Sequence, residues 1–243
     1  MKNIFFVAGE VGEKILQWLL EFHSDDIGMI VHTGDDQRIL DICHKHKLNS
    51  CSVANIDILE NKVFDLGFTV WWPTILTANV LKIATRGFVN THPSLLPAQR
   101  GKGTSFWNII EGTDFGVTIH RLTEKIDKGE ILAQRQIEVT WEDTGGSLAT
   151  KAQNSMYELF VSEYPFSNEF NGFDENRLQV SESFHNLSEM FDKSQLDLDE
   201  RLSIRDTLNL LRAKTHHEYP GCTFVEDDVT YYVQIMIRKA KSD

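Results

Sequence analysis

Two polar side chains with catalytic potential stand close together near the middle of the chain. The segment Phe88–Pro97 reads FVNTHPSLLP, so one residue separates Asn90 from His92. Side chains two residues apart on a strand point to the same face, which would place a carboxamide beside an imidazole. Such a pair can stabilise a developing oxyanion and move a proton. A polar strand end followed by a proline-rich loop explains the same residues without catalysis, and spacing alone leaves both interpretations open.

A carboxylate that could partner the imidazole follows later in the chain. The segment Gly116–His120 reads GVTIH, and Lys125–Gly129 reads KIDKG. Asp127 lies two residues before a glycine, where aspartate commonly forms a turn with its own backbone. The functional alternative is that Asp127 holds the imidazole of His92 and helps to remove a proton.

The first half of the chain predicts a sheet that would position these groups. Compact apolar runs alternate there with stretches of helical periodicity. The predicted strands are Asn3–Ala8, Ile27–Val31, Phe68–Trp71 and Gly87–Thr91, and the predicted helices are Glu13–His23, Asp35–His46 and Ala78–Ala84. Strands separated by such helices imply right-handed crossovers and a mostly parallel sheet, with functional loops at the carboxyl ends of its strands.

The second half predicts more strands, a long helix and a terminal hairpin. Its predicted elements are strands Gly116–Arg121 and Glu130–Val139, an amphipathic helix Ser147–Tyr164 ended by Pro165, a helix capped by Asp199 that runs to Leu211, and a hairpin within Gly221–Arg238. We therefore expect a catalytic domain over 1–165, a polar surface connection over 166–198 and a helix-plus-hairpin subdomain over 199–243.

Composition narrows the class of protein. The chain has 243 residues and a net charge of −12, which argues against a general binder of nucleic acids or anionic membranes. No apolar run is long enough to cross a bilayer, and the N-terminus lacks a signal-peptide core. Three cysteines without a framework spacing fit a reducing cytoplasm, where we expect the protein to act. The cysteines and histidines within Cys43–Cys51 lack the paired spacing of a zinc site, so no metal is expected.

Three motifs together resemble a known family. In order and spacing across Trp71–Gln134, Asn-x-His-Pro-Ser-Leu-Leu-Pro, Gly-Val-Thr-Ile-His and Ile-Asp-x-Gly resemble the formyltransferases that use N10-formyltetrahydrofolate. The resemblance implies an α/β fold with a Rossmann-like, mostly parallel twisted sheet and a short C-terminal helix and β-hairpin extension. It implies N10-formyltetrahydrofolate as co-substrate, without a metal. It makes Asn90, His92 and Asp127 the catalytic residues.

The resemblance also implies where the folate binds and which acceptor is used. The folate would lie between two short segments, consisting of Pro73, Thr74, Ile75 and Leu76 on one side and Thr123, Glu124 and Ile126 on the other. The loop after the first strand reads AGEVG, and Glu10 departs from the phosphate loop of glycinamide ribonucleotide enzymes. Methionyl-tRNA enzymes carry a larger, generally basic C-terminal domain, which the length and charge of this chain do not match.

The segment after Leu211, RAKTHHEYPGC, resembles sugar N-formyltransferases. We therefore expect a dTDP-linked amino sugar as acceptor, most similar to dTDP-4-amino-4,6-dideoxyglucose, in surface-polysaccharide (O-antigen) assembly. A dTDP-3-amino sugar enzyme, a methionyl-tRNA formyltransferase-like enzyme and a non-catalytic folate- or nucleotide-sugar-binding module stay as alternatives.

The residues expected to bind the acceptor are Gly9, Glu10, Arg100, Lys102, Gly103, Arg212 and Tyr219. Two of them, Arg100 and Lys102, offer cations to a diphosphate, although a solvated loop explains them equally well. We expect no nucleic-acid or membrane partner. The apolar side of the terminal hairpin needs cover, which predicts a homodimer.

Overall fold

The computed structural model describes residues 2–166, 181–216 and 219–240. The strands are β1 (Asn3–Val7), β2 (Ile27–His32), β3 (Ser50–Ser52), β4 (Gly67–Val70), β5 (Phe88–His92), β6 (Arg100–Gly101), β7 (Phe115–Arg121), β8 (Ile131–Ile137), β9 (Phe184–His185), β10 (Cys222–Glu226) and β11 (Val229–Val233). The α-helices are α1 (Gly9–Phe22), α2 (Gln37–His46), α3 (Ala78–Leu81), α4 (Thr104–Glu111), α5 (Gly145–Glu163), α6 (Leu187–Lys193) and α7 (Ile204–Lys214).

Seven strands form one sheet in the order β3-β2-β1-β4-β5-β7-β8. Strand β1 pairs in parallel with β2 and β4, and parallel pairing continues from β2 to β3 and from β4 to β5. Strand β7 then runs antiparallel to β5. The mostly parallel sheet expected from the alternating pattern is confirmed.

The described residues divide into two compact units made of interleaved segments. One unit contains 2–92, 118–134 and 156–166, and the other contains 93–117, 135–155, 181–216 and 219–240. The sequence-based division at 165 and 199 assumed that each domain is one consecutive segment of the chain. That division into domains stays a prediction.

Both faces of the sheet in the first unit are covered by apolar side chains. Successive residues of β1 point to opposite faces, so Phe5 and Phe6 enter separate layers. Phe5 stacks on Phe68 at 4.8 Å between ring centroids, and Phe68 packs edge-on against Phe160 of α5. On the other face Phe6 packs edge-on against Trp72, just beyond the end of β4. Apolar burial on both faces explains why these strands appear in the sequence as continuous apolar runs.

Several predicted helix boundaries are wrong, most of all those of α1, α3 and α7. Helix α1 begins at Gly9 rather than Glu13, because the carboxylate of Asp36 accepts a hydrogen bond from the Gly9 N–H at 2.8 Å. The helix predicted over Ala78–Ala84 ends at Leu81.

Helix α7 begins at Ile204 and extends to Lys214. Its N-cap is Ser203, whose hydroxyl accepts a hydrogen bond from the Asp206 N–H, so the prediction that Asp199 caps this helix is wrong.

The segment interpreted as a surface connection contains regular structure in its described part. Strand β9 pairs in parallel with β6, and helix α6 carries a capping box between Asn186 and Glu189. Residues 167–180 lie outside the described residues.

Helix α4 was not predicted from the sequence. It follows Gly103, which adopts a left-handed conformation with φ of 73° at the helix start.

The terminal hairpin is confirmed. Strands β10 and β11 pair antiparallel, and Phe224 stacks on the opposite Tyr231 at 5.1 Å. Asp227 and Asp228 form the two-residue turn with φ of 49° and 61°, the left-handed conformation that such hairpin turns require. No helix among the described residues is long and apolar enough to span a bilayer.

The turn between β7 and β8 depends on a glycine without room for a side chain. A Cβ at Gly129 would overlap the carbonyl oxygen of Arg121, whereas a Cβ at Gly87 would meet nothing within 4 Å. We expect Gly129→Ala to lower the free energy of unfolding by more than about 2 kcal/mol, because the backbone must move. The control Gly87→Ala should cost only about 1 kcal/mol, from its φ of 76°. Urea unfolding measures both, and equal losses would contradict the steric argument.

Candidate active site

Three polar side chains form a row across neighbouring strands of the first unit. The register pairs Thr69 of β4 with Asn90 of β5, and Asn90 with His120 of β7. The Thr69 hydroxyl donates a 2.6 Å hydrogen bond to Asn90 Oδ1. Asn90 Nδ2 lies 3.0 Å from His120 Nε2. Asn90 therefore has a hydrogen-bonding partner on each side, and both partners come from the sheet itself.

The hydrogen bonds of His120 determine which of its nitrogens carries a proton. His120 Nδ1 lies 2.9 Å from the Arg121 carbonyl oxygen, which only accepts, so Nδ1 is the protonated nitrogen. Nε2 then accepts from Asn90. Burial lowers the pKa of His120 from 6.5 to about 4, and the nearby His92 acts in the same direction, against the opposing effect of Asp127. His120 is thus neutral near pH 7.

His92 and Asp127 meet beside this row. The side chains are 6% and 12% exposed, and His92 Nδ1 lies 3.6 Å from Asp127 Oδ2. The second carboxylate oxygen of Asp127 lies 3.7 Å from His120 Nε2. Both separations are longer than a hydrogen bond but within ion-pair range. Asp127 has a φ of 49°, and the turn that carries it is the one that Gly129 allows to approach β7.

The cluster of Asn90, His92, His120 and Asp127 combines an oriented donor, an imidazole and a carboxylate. One N–H of the Asn90 amide is used by His120, and the other has no partner among the described residues. A donor held this way can stabilise negative charge that develops on a carbonyl oxygen. The imidazole of His92 and the carboxylate of Asp127 can hold and move a proton. The arrangement is suited to attack of a nucleophile on an acyl carbon.

The two segments expected to hold the folate lie at the surface of the same unit. Pro73, Thr74 and Ile75 are exposed, and Leu76 is half-buried against the core. Thr123, Glu124 and Ile126 are exposed, and Thr123 closes a local turn onto Lys125. Ile75 is 77% and Ile126 is 42% exposed, so apolar surface is available to pack on a flat heterocycle. Folate binding by these residues fits their chemistry and stays a prediction.

Comparison with known proteins bears directly on this cluster. A family model described as Formyl transferase matches residues 40–163, slightly more than half of the chain, and includes all four cluster residues. The chain belongs to the formyl transferase family. The resemblance inferred from the three motifs is therefore confirmed at the level of the family. A second family model, described as N-formyltransferase dimerization C-terminal domain, matches residues 189–239.

Individual members of the formyl transferase family resemble the chain to different extents. A dTDP-4-amino-4,6-dideoxyglucose formyltransferase from Mycobacterium bovis is 32% identical over 139 residues, which are 57% of this chain and 58% of that protein. The chain thus spans little more than half the length of this curated relative.

Solved structures show that the fold is shared over nearly the whole chain. A 4-N formyltransferase from Francisella tularensis superposes with a TM-score of 0.81 and 22% identity, over 98% of this chain and 99% of that one. An N-formyltransferase from Helicobacter canadensis, in complex with folinic acid and dTDP-3-aminofucose, superposes with a TM-score of 0.75 and 18% identity, over 94% and 85% of the two chains. The predicted α/β formyltransferase fold is confirmed.

The two residues expected to bind the acceptor in the first loop have internal partners in this family member. The Gly9 N–H donates to Asp36, as described above. Burial opposes ionisation of Asp36, but hydrogen bonds from Arg38 and Gly9 outweigh it and lower the pKa of the carboxyl group. Glu10 pairs with Lys14 at 2.7 Å. The start of α1 is therefore already occupied by a carboxylate of the protein.

In the second unit, the loop expected to hold a diphosphate is tied down by strand pairing. The backbone N–H groups of Arg100 and Lys102 donate to the carbonyl oxygens of Ser183 and His185. The Arg100 guanidinium pairs with Glu182 at 2.6 Å. Gly103 begins α4 in a left-handed conformation. These amides are less available than the sequence suggests, and diphosphate binding by Arg100, Lys102 and Gly103 stays a prediction.

Arg212 and Tyr219, which belong to the same unit, differ in how far they are buried. Arg212 is buried, and its guanidinium donates to the carbonyl oxygens of Thr140 and Asp143 at 2.9 and 3.0 Å. It also stacks on the ring of Trp141. This geometry gives Arg212 a structural role in joining α7 to the start of α5. Tyr219 is 40% exposed, and its binding role stays a prediction.

Sequence reasoning assigned no role to Thr69, His120 or Asp36. His120 ends one of the motifs used for the resemblance, but only the antiparallel register of β5 and β7 places it opposite Asn90. That register would have identified His120, and the parallel register of β4 with β5 would have identified Thr69. Among the described residues, no group of three or more His, Cys, Asp or Glu side chains could hold a metal ion.

The buried His120 makes the stability of the fold depend on pH. Its pKa of about 4 lies below the ordinary 6.5, so the unfolded chain binds more protons between those values. We expect the free energy of unfolding to fall as the pH drops through this window, by on the order of 3 kcal/mol. Urea unfolding across the window should show this slope, and His120→Gln should reduce it. The exposed His46→Gln should leave it unchanged, and an unaltered slope in His120→Gln would contradict the assignment.

Proposed function

We propose that the chain transfers the formyl group of N10-formyltetrahydrofolate to the amino group of a nucleotide-linked amino sugar. The observation that carries the proposal is the cluster in which His120 orients Asn90 while His92 and Asp127 lie beside them. Membership of the formyl transferase family supports the reaction class. A binding module would need neither the spare N–H of Asn90 nor a carboxylate beside His92.

The geometry supports a simple division of roles. The amine of the acceptor attacks the formyl carbon, and negative charge develops on the formyl oxygen. The spare N–H of Asn90 and a protonated nitrogen of His92 would stabilise that charge, and a donor of this kind lowers the barrier by roughly 3–4 kcal/mol. Asp127 would take the proton of the attacking amine, directly or through water. A proton would then pass to N10 of the folate as the carbon–nitrogen bond breaks, so that tetrahydrofolate leaves neutral at N10.

The acceptor class rests on similarity to named relatives. The curated relative from Mycobacterium bovis is named for dTDP-4-amino-4,6-dideoxyglucose, which favours this sugar as the acceptor. The role in surface-polysaccharide assembly stays a prediction from the sequence. The Helicobacter canadensis structure contains dTDP-3-aminofucose, which favours a dTDP-3-amino sugar as the second candidate. Both candidates are dTDP-linked amino sugars, and we propose this class first.

Two other acceptors receive less support from the chain. A phosphate at the start of α1, as in the glycinamide ribonucleotide enzymes, would have to displace the carboxylate of Asp36 from the Gly9 N–H. A tRNA would approach a chain with a net charge of −12, which is unfavourable for a polyanion. The cytoplasmic location expected from the cysteines stays a prediction.

The reaction is tested by turnover with a panel of acceptors. We expect release of tetrahydrofolate with a dTDP-amino sugar, and none with glycinamide ribonucleotide or initiator tRNA. Asn90→Ala should lower kcat by about 100- to 1,000-fold, because an oxyanion donor is lost. The surface variant Asn79→Ala, on the exposed helix α3, is the matched control and should leave kcat unchanged. Turnover with glycinamide ribonucleotide alone would overturn the proposed acceptor.

We also propose that the chain forms a homodimer through its terminal hairpin. The second family model supports this, since its description names dimerization and its match includes β10 and β11. Val225 and Tyr232 lie on one face of the hairpin and are 62% and 69% exposed. Exposed apolar side chains grouped on a small sheet are typical of a surface that another chain covers.

The proposed dimer is tested by introducing negative charges on that face of the hairpin. We expect the double variant Val225→Glu, Tyr232→Glu to be monomeric, because two buried carboxylates per chain would oppose association. Analytical ultracentrifugation measures the oligomeric state. Phe22→Glu, at an exposed apolar position at the end of α1, is the control and should leave the dimer intact. A double variant that sediments as the wild-type dimer would contradict the proposal.

A further inference from the structure

The oxygen of the Asn90 amide has one hydrogen-bond donor among the described residues, the hydroxyl of Thr69. The donor and acceptor atoms are 2.6 Å apart, and Thr69 is 2% exposed. The hydroxyl also lies 3.4 Å from the Val89 carbonyl oxygen. A hydroxyl has a single proton, and the shorter, better contact is the one to Asn90.

The two neighbours of Asn90 therefore act on opposite ends of its amide. His120 accepts from Nδ2, and Thr69 donates to Oδ1, so the amide plane is held at both ends. With Thr69 removed, Oδ1 would lose its donor, and the amide could turn about its χ2 bond while keeping a looser contact with His120. Such a rotation would carry the second N–H away from the position at which it meets the reacting oxygen.

Strand geometry makes this contact rigid. Thr69 and Asn90 are directly opposite in the parallel pairing of β4 and β5. The next residue of β5, Thr91, donates to the Thr69 carbonyl oxygen and accepts from the Trp71 N–H. The backbone of β4 is thus hydrogen-bonded to the Thr91 side chain at Thr69 and again at Trp71. A hydroxyl on a β-branched side chain has few rotamers, which further limits its movement.

We propose that Thr69 is a positioning residue for the formyl transfer, acting through Asn90 by holding its amide in the orientation that presents the second N–H to the reacting oxygen. The expected effect on kcat rests on the proposed function. The expected effect on the orientation of the Asn90 amide does not. The sequence motifs do not include Thr69. Only the pairing of β4 with β5 connects it to the site.

The experiment compares variants that separate the hydroxyl from the methyl group. Thr69→Val keeps the shape and removes the hydroxyl, whereas Thr69→Ser keeps the hydroxyl. With N10-formyltetrahydrofolate and the dTDP-amino sugar that the wild type uses, we expect Thr69→Val to lower kcat by roughly tenfold, with KM for both substrates changed by less than about twofold. Thr69→Ser should stay within about threefold of the wild-type kcat.

Whether Thr69 acts through Asn90 is tested by combining Thr69→Val with Asn90→Ala. Once the amide is absent, Thr69→Val should lower kcat no further, since coupled residues are not additive. An equal loss in both backgrounds would show a merely structural role and overturn the proposal, as would an unchanged kcat in Thr69→Val. If Thr69→Val does not fold, Thr69→Ala against Thr69→Ser makes the same comparison, because both lack the methyl group.

A readout that needs no turnover separates this inference from the proposed function. Selective 15N labelling of asparagine, with Asn90→Ala for assignment, identifies the side-chain amide of Asn90. We expect its N–H protons to exchange with water at least about tenfold faster in Thr69→Val than in the wild type, and near the wild-type rate in Thr69→Ser. Unchanged exchange would overturn the positioning role even if the enzyme is active. Faster exchange without turnover of any amino sugar would leave it standing while the proposed function fails.

Discussion

The neutrality of one buried imidazole is the condition on which the arrangement of the site depends. His120 is fully buried, and that burial lowers its pKa to about 4. Because its Nδ1 proton is donated to the Arg121 carbonyl oxygen, Nε2 can only accept. Asn90 must then present an N–H to His120, which leaves its other N–H for a ligand. A protonated His120 would place two donors face to face, and the Asn90 amide would have to turn. Burial of His120 thus determines the direction in which the Asn90 amide presents its second N–H.

The backbone supplies the remaining geometry through register. Pairing of β4 with β5 and of β5 with β7 lines up Thr69, Asn90 and His120 on one face of the sheet. Residues on strands hold their positions better than residues on loops, which suits groups that must meet a reacting atom. Asp127 is the exception, since it lies in a turn with positive φ. The turn approaches β7 closely only because Gly129 has no side chain, so the carboxylate is placed by a steric constraint rather than by a strand.

Sequence patterns predicted the parts of this structure that depend on local chemistry. Apolar runs located the strands that build the sheet, and the family resemblance of three motifs selected Asn90, His92 and Asp127, which the structure places in one cluster with His120. The errors have a common cause in distant contacts. Helix α1 starts early because a carboxylate from the next crossover satisfies its first N–H. The binding role expected of Arg212 stays a prediction, and the sequence does not show that its guanidinium is buried against backbone carbonyl oxygens that lie about seventy residues earlier. No local pattern contains either fact.

The start of α1 shows how one such contact bears on the choice of acceptor. A helix start with unsatisfied N–H groups attracts an anion, and here the anion is the protein's own Asp36. The pKa of this carboxyl group is lowered by its hydrogen bonds, so it stays charged over the ordinary pH range. A phosphate would have to displace a charged, hydrogen-bonded carboxylate and would meet repulsion from Glu10 nearby in sequence. In the proposed reaction Asn90, His92 and Asp127 act on the formyl group and the attacking amine, and none of them is in the first turn of α1. Under the proposed function, a carboxylate at this helix start would therefore disfavour acceptors whose phosphate binds there, while the groups proposed to act on the formyl carbon stay the same.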